Sequence, residues 1–197
     1  MTSSNEASHK DVLLTYLRAA REAVLWKTEG LSERDLRLPR TPTGTSLIGI
    51  VKHCLNVEAG YFGPTFGRRV PMADELIPFS AFETDPQVDW YASESETAAG
   101  LIDLYRRVGG YVDATIEELP LDSVGRVPWV APGARGGHAP ADHRPRDRGR
   151  RAPRRARRHP AGADRRSNGL NTRNSNVPDD IDWPAYVAKL TALAERY

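Results

Sequence analysis

The sequence predicts an all-α protein, an up-down four-helix bundle whose fourth core helix is replaced by an Arg-rich tract expected to be disordered. Three observations predict it. Long stretches before residue 120 repeat their apolar residues at helical spacing. Three amphipathic helices leave an apolar face uncovered, which a fourth normally closes. In the interval where that fourth helix would fall, residues 135–166 contain no Val, Ile, Leu, Met, Phe, Trp, Tyr or Cys.

The first helix is read from Asp11 to Glu29, with Val12, Leu13, Tyr16, Leu17, Ala20, Val24 and Leu25 as its apolar side. Gly30 stands where helices commonly stop. Ser32 can cap a short turn to Leu36, and residues 41–45 read as a loop. Ser46 then caps a second helix that carries Leu47, Ile50, Val51, Cys54, Leu55 and Tyr61 and stops near Gly63-Pro64. The connection from Gly67 to Ala92 holds prolines at 71, 78 and 86. Connections of that length are functional or packed over a core. Ser93 and Glu96 have the spacing of a capping box and are expected to open a third helix. Its face is Leu101, Leu104, Tyr105, Val108, Val112, Thr115, Ile116 and Leu119. Trp183 to Arg196 reads as a short amphipathic helix. Leu17, Val24, Ile50, Cys54, Leu104 and Val108 are the side chains expected to be buried.

In the block 135–166, twelve Arg against three Asp give a formal charge of +9. The whole chain is only +2, so the remainder sums to −7. With nothing larger than Ala to bury, and prolines at 140, 145, 153 and 160, the block cannot offset the entropy of ordering its backbone. Taken at face value it is a basic arm that neutralises phosphates. No aromatic is interleaved to stack on bases, so such binding would be non-specific. The chain is therefore read as one domain, 1–197, holding a basic insert at 135–176. A single cysteine, Cys54, excludes an internal disulfide and suits a reducing cytoplasm. No apolar run approaches the roughly 20 residues of a membrane span, and residues 1–11 lack the apolar segment of a secretory signal.

The block also reads as a coding stretch in the wrong frame, spanning about 131–168. Regrouping the nucleotides under 138–166 one position downstream permits TLxxITAHVTAExAxHAGHADILRELIDG, one choice among many that codon degeneracy allows. That string has no Pro, places apolar residues at helical spacing and ends in a Gly stop. High-GC codons read off-frame yield Arg, Ala, Pro and Gly, which is the block's composition. A selected basic arm usually mixes in Lys, and this block has none.

Several segments together carry a family resemblance: SLIGIVKHCLNVEAGYFGPTFGR at 46–68, LYRRVGGYVDATIEELPLD at 104–122, GRVPW at 125–129 and DIDWPAYVAKL at 180–190. In order and spacing they resemble the DinB superfamily, in the actinobacterial branch related to mycothiol-dependent maleylpyruvate isomerase. The resemblance implies a four-helix bundle with one divalent metal, zinc or nickel, near the bundle end. It implies a ligand on the second helix, at His53, and an acid and a His on the fourth. It implies as well a low-molecular-weight thiol or water activated by the metal, which lowers its pKa. The fourth helix of that branch resembles HxxxETARHAGHADILRELIDG, and the regrouped string keeps its spacings. As translated, the corresponding positions are Gly149 and Pro153, which offer no side-chain ligand. His138, His143 and His159 lie in a tract with nothing to position them. Two of three expected ligands are thus absent.

Without the resemblance, His53 reads as a partly buried histidine beside Ile50 and Val57, hydrogen-bonded to a neighbour. Glu58 lies five residues on and points elsewhere, so a solvated or hydrogen-bonded role is expected. Tyr61, Phe62, Phe66, Trp90 and Trp129 read as packing rather than as a substrate pocket. The functional expectation is a metal-dependent, thiol-using transferase or isomerase scaffold with a defective metal site. The alternative is a non-catalytic protein whose Arg-rich arm binds nucleic acid or acidic partners. A homodimer is compatible with either, and neither needs a membrane.

Overall fold

The structure, a computed structural model, describes residues 3–129 and 181–197, with side chains from residue 9 onward. The chain divides into two compact units, Met1–Trp129 with Asp182–Tyr197, and Val130–Ile181. The first holds every helix named below. The Arg-rich tract, and with it the expectation of a disordered or frame-shifted fourth helix, lies outside the described residues.

Among the described residues six α-helices follow one another: α1 (Ser3–Trp26), α2 (Glu33–Arg37), α3 (Leu47–Phe62), α4 (Ala81–Thr84), α5 (Ala98–Glu118) and α6 (Trp183–Ala194), with 3-10 turns at Pro64–Phe66 and Ala73–Glu75. No strand occurs among the described residues, so the all-α reading holds. Helix starts are made by short polar side chains, with Ser32 and Ser46 in extended backbone. Ser32 accepts from Asp35 N–H, Ser46 from Gly49 N–H, and Asp182 from Ala185 N–H. The expected capping box forms only by half. Glu96 reaches back to the Ser93 N–H, but the helix is capped four residues after Ser93, by Thr97 accepting from Gly100 N–H.

Cross-helix partners fix the helix directions. From Lys10 through Arg18 to Arg21, α1 meets Glu117, then Asp113, so it runs against α5. Glu58 pairs with Tyr105, the Phe62 carbonyl with Tyr111, and Arg68 with Glu118, so α3 and α5 run the same way. The long helices therefore do not strictly alternate up and down. The physical reason is the connection 63–97, long enough to carry the chain back along the bundle before α5 begins.

The core lies between α3 and α5. Val51, Val108 and Val112 are wholly buried, Leu55 is nearly so, and Ile48, Leu101, Leu104 and Tyr105 complete the cluster. Of the side chains expected to be buried, Leu104 and Val108 are. Leu17, Val24 and Cys54 pack against the core edge while partly exposed, and Ile50 is half-buried outside the cluster. The face of α1 needs a larger correction. Val12, Leu13 and Tyr16 are exposed, whereas Leu14 and Arg21 turn inward. Leu17, Val24 and Leu25 of the expected stripe do pack on the core, but the buried Arg21 interrupts the apolar repeat, and the stripe's N-terminal members turn outward. α2 and α6 pack together, and the Arg37 side chain, 2% exposed, is held by Glu33, by the carbonyls of Ala92, Ser93 and Glu96, and against the Tyr197 ring. No helix among the described residues is long and apolar enough to cross a membrane.

Candidate functional site

His53 sits in the middle of α3, one turn after Gly49, so the two share a face. A Cβ at Gly49 would lie 1.9 Å from the Trp90 carbonyl oxygen. Only glycine lets the loop backbone come this close to the helix. The loop is then held by tight turns and by Lys52. Its ammonium, on a side chain 3% exposed, donates to the Tyr91 carbonyl at 3.0 Å and to Glu96 at 2.8 Å. Asp85 braces the same loop by accepting from Tyr91 OH at 2.7 Å and from Gln87 N–H at 2.9 Å.

This arrangement delivers two side chains to the histidine. The Trp90 ring stacks on the imidazole with centroids 3.8 Å apart and planes at 18°. Asp89 Oδ2 lies 2.6 Å from His53 Nδ1. A carboxylate can only accept here, so Nδ1 carries the proton, and in the neutral ring Nε2 keeps its lone pair. Asp89 is 7% exposed and His53 32%, so a buried acid orients a partly accessible base. An acid of this kind fixes both the tautomer and the ring direction.

Neighbouring groups fall away from that chemistry. Cys54 adjoins His53, but burial and the nearby Glu58 push its thiol pKa up, so it stays protonated at neutral pH. Glu58 is hydrogen-bonded, as expected: it accepts from Arg21 Nε at 2.8 Å and from Tyr105 OH at 3.1 Å. Burial, with the charge of Glu58 next, raises the Tyr105 phenol, leaving it a donor.

Between the C-terminal half of α3 and the connection that follows it opens a cavity of about 800 Å³, lined not by His53 but by its partner Asp89. Asp89 forms part of its wall, and Tyr61, Phe79, Phe82 and Trp129 supply aromatic surface. Tyr61 and Trp129, read from the sequence as packing residues, also line this cavity. They meet edge-on, with centroids 5.2 Å apart, and belong to the cavity wall. Trp90 packs on the histidine, and Phe62 on the core edge as expected. The strap 125–129 is held to the 3-10 turn by Arg126 N–H donating to the Thr65 carbonyl at 2.7 Å. The end ring of Trp129 fits over Gly60, where a Cβ would be only 3.1 Å away.

Sequence reasoning had His53, and Trp90 as a packing residue, but missed Asp89 and the glycine that admits their loop. The partners lie 36 residues from the histidine, in a proline-bearing loop without periodicity. The one available signal was that loop's unusual length.

Fold and site together define a helical-bundle protein in which a buried aspartate both orients a histidine and lines an apolar cavity. The chain matches the family described as Mycothiol-S-transferase over residues 12–144, two-thirds of its length, and belongs to that family. The DinB-like, mycothiol-related resemblance drawn from residues 46–68 and 104–129 is thereby borne out. The match ends within the Arg-rich tract and excludes α6. No curated protein and no solved structure matches the chain.

A resident divalent metal is a further implication of the resemblance, and the donor set can be tested against it. Among the described residues no three His, Cys, Asp or Glu side chains are grouped to hold an ion. His53 and Asp89 make a pair, and Asp89 Oδ2 is engaged with the ring rather than turned beside Nε2. One nitrogen is too few for a structural or catalytic zinc site. The described donors do not fit a complete metal centre. His138, His143, His159, Gly149 and Pro153 lie outside the described residues.

Proposed function

We propose that the chain is a thiol-dependent transfer scaffold whose reacting group is His53, and that as translated it has too few ligands to retain zinc or nickel. The observation that carries this is the 2.6 Å contact of His53 Nδ1 with buried Asp89, which leaves Nε2 as a free base in a family named for mycothiol transfer. In the proposed step, Nε2 accepts the proton of a low-molecular-weight thiol. The thiolate sulfur then forms its bond to an electrophile as the leaving group departs with its electron pair. Asp89 stabilises the imidazolium formed in between. The adjacent cavity would seat the electrophile and keep water from it.

Two measurements test the two halves. Dialysed protein should hold well below one equivalent of zinc or nickel, and a tight one-to-one complex abolished by His53→Ala would overturn the metal half. A chain whose residues 138–166 are restored to the regrouped frame should gain that equivalent. Transfer of a low-molecular-weight thiol to a fluorogenic alkyl halide should fall about 10²- to 10⁴-fold in His53→Ala, the usual contribution of a positioned base. Unchanged rates would remove His53 from the chemistry.

The +9 charge of 135–166 favours a second reading, an Arg-rich arm that neutralises phosphate. The DNA under residues 130–176 separates the two. Compensating insertions and deletions relative to close relatives support the first, and codons conserved in the present frame support the second.

A further inference from the structure

The structure assigns the cavity beside Asp89 to a planar aromatic molecule bearing a carboxylate, which deepens the transfer reading by naming the groups that hold its electrophile, whose leaving group sits elsewhere on the same molecule. A volume of about 800 Å³ lies within the range of roughly 300–1,000 Å³ typical of small-molecule sites. Apolar side chains dominate the wall, and its polar members are Asn56, Arg68, Arg69 and Asp89.

The aromatic part of the assignment rests on the mouth. Tyr61 is 45% exposed, Phe79 60% and Trp129 37%, yet Trp129 touches both of the others. Trp129 stacks on Phe79 with centroids 5.5 Å apart and planes at 27°, and meets Tyr61 edge-on. Large apolar residues scattered singly on a surface need no explanation, but a contiguous aromatic rim around a cavity marks a binding surface. Ring faces left open there favour a flat π partner, and such pairs are worth about 0.5–1.5 kcal/mol beyond their buried area.

The carboxylate follows from the polar wall. Asn56 is committed, donating to the Lys52 carbonyl and accepting from Ile77 N–H. Asp89 is committed to His53. Arg68 is engaged elsewhere: one terminal nitrogen donates to Glu118, the guanidinium also interacts with Tyr111, and its Nε–H is sealed from solvent. Arg69, also in the wall, is exposed and pairs with no acid among the described residues. The Arg69 guanidinium, with unused N–H donors on the cavity wall, suits a planar carboxylate, which it can meet through two parallel bonds.

The test is calorimetric titration of the full chain with 2-naphthoate, and separately with uncharged 2-naphthalenemethanol, with no thiol or metal present. Failure of transfer chemistry then leaves the binding result untouched, and failure of binding leaves the histidine's chemistry to be judged on other electrophiles. One-to-one saturation by naphthoate is expected, with the alcohol at least about tenfold weaker, a difference of 1.4 kcal/mol. Arg69→Gln should remove that preference, lowering naphthoate affinity about tenfold and leaving the alcohol unchanged. Phe79→Ala should weaken both ligands alike, and at 60% exposure this side chain is dispensable to folding. No saturation up to about 1 mM, the weak limit of specific binding, would overturn the assignment. So would equal affinity for alcohol and carboxylate, or naphthoate binding indifferent to both variants.

Discussion

α5 is gripped on two sides by different physics. Against α3 it buries Val108 and Val112 on Val51 and Leu55, a dry apolar seam. Against α1 it offers Asp113 and Glu117 to arginines, with Arg21 Nη1 at 2.6 Å and Arg18 Nε at 2.5 Å from the two Asp113 oxygens. Arg21 is also shared with Glu58 of α3, at 2.7 Å from Nη2, so one buried cation joins three helices. The apolar seam loses stability in proportion to what is removed from it. The ionic seam fails asymmetrically, because removing one partner strands the other charge away from water.

The largest effect separates those two behaviours. Glu58→Ala leaves the Arg21 guanidinium, 9% exposed, with only Asp113 to balance it and takes the acceptor from Tyr105 OH. A loss of about 3–5 kcal/mol is expected in chemical denaturation. The pair replacement Arg21→Met with Glu58→Leu should recover most of it. If the double variant is as unstable as the single one, the seam depends on the ions themselves rather than on avoiding a stranded charge.

Next comes Leu55→Ala in the apolar seam, where the side chain is 1% exposed. The expected cost is about 2–5 kcal/mol, rising with the cavity that remains. A value below 1 kcal/mol would show that α3 and α5 close up freely and that the seam is not tightly packed.

A smaller effect is local to α3. Ser46→Ala removes the acceptor for Gly49 N–H at 3.1 Å and should cost about 1 kcal/mol. The same change should increase hydrogen exchange in the first turn of α3 without altering α5.

The smallest effect is electrostatic and exposed. Hydrogen bonding from Arg107 holds the Glu75 carboxyl below its ordinary value. Because the folded value is depressed, its contribution is present above the unfolded carboxylate range and fades as pH falls through the folded value. Glu75→Gln should therefore narrow the stability gap to the unaltered chain on acidification, and only slightly, since both side chains are solvated. A gap that widens towards low pH would reverse the sign assigned here.

Much of the bundle was legible without coordinates. Leu101, Leu104, Tyr105, Val108 and Val112 repeat at helical spacing and are all buried, because α5 meets its neighbour through apolar contact, which spacing reports directly. The Ser32 and Ser46 caps were legible because a cap is a local bond within four residues. The α1 face was misread in part, for the opposite reason. Its inward side carries Arg21, whose burial depends on acids 37 and 92 residues away. The shared direction of α3 and α5 was illegible too, since a long loop can return to either end of a bundle.

By itself, then, the sequence determined an all-α chain, its three long helices, the Ser32 and Ser46 caps, His53 as the residue the family resemblance singles out as a metal ligand, and the break in pattern at the Arg-rich tract. All but the His53 assignment follow from local propensity and from the period of apolar side chains along one strand of chain. Tertiary structure alone decided that Asp89 and Trp90 meet His53, that Gly49 admits their loop, and that Tyr61, Phe79 and Trp129 ring a cavity. Contacts between distant segments depend on how the backbone packs, and no spacing within either segment encodes them.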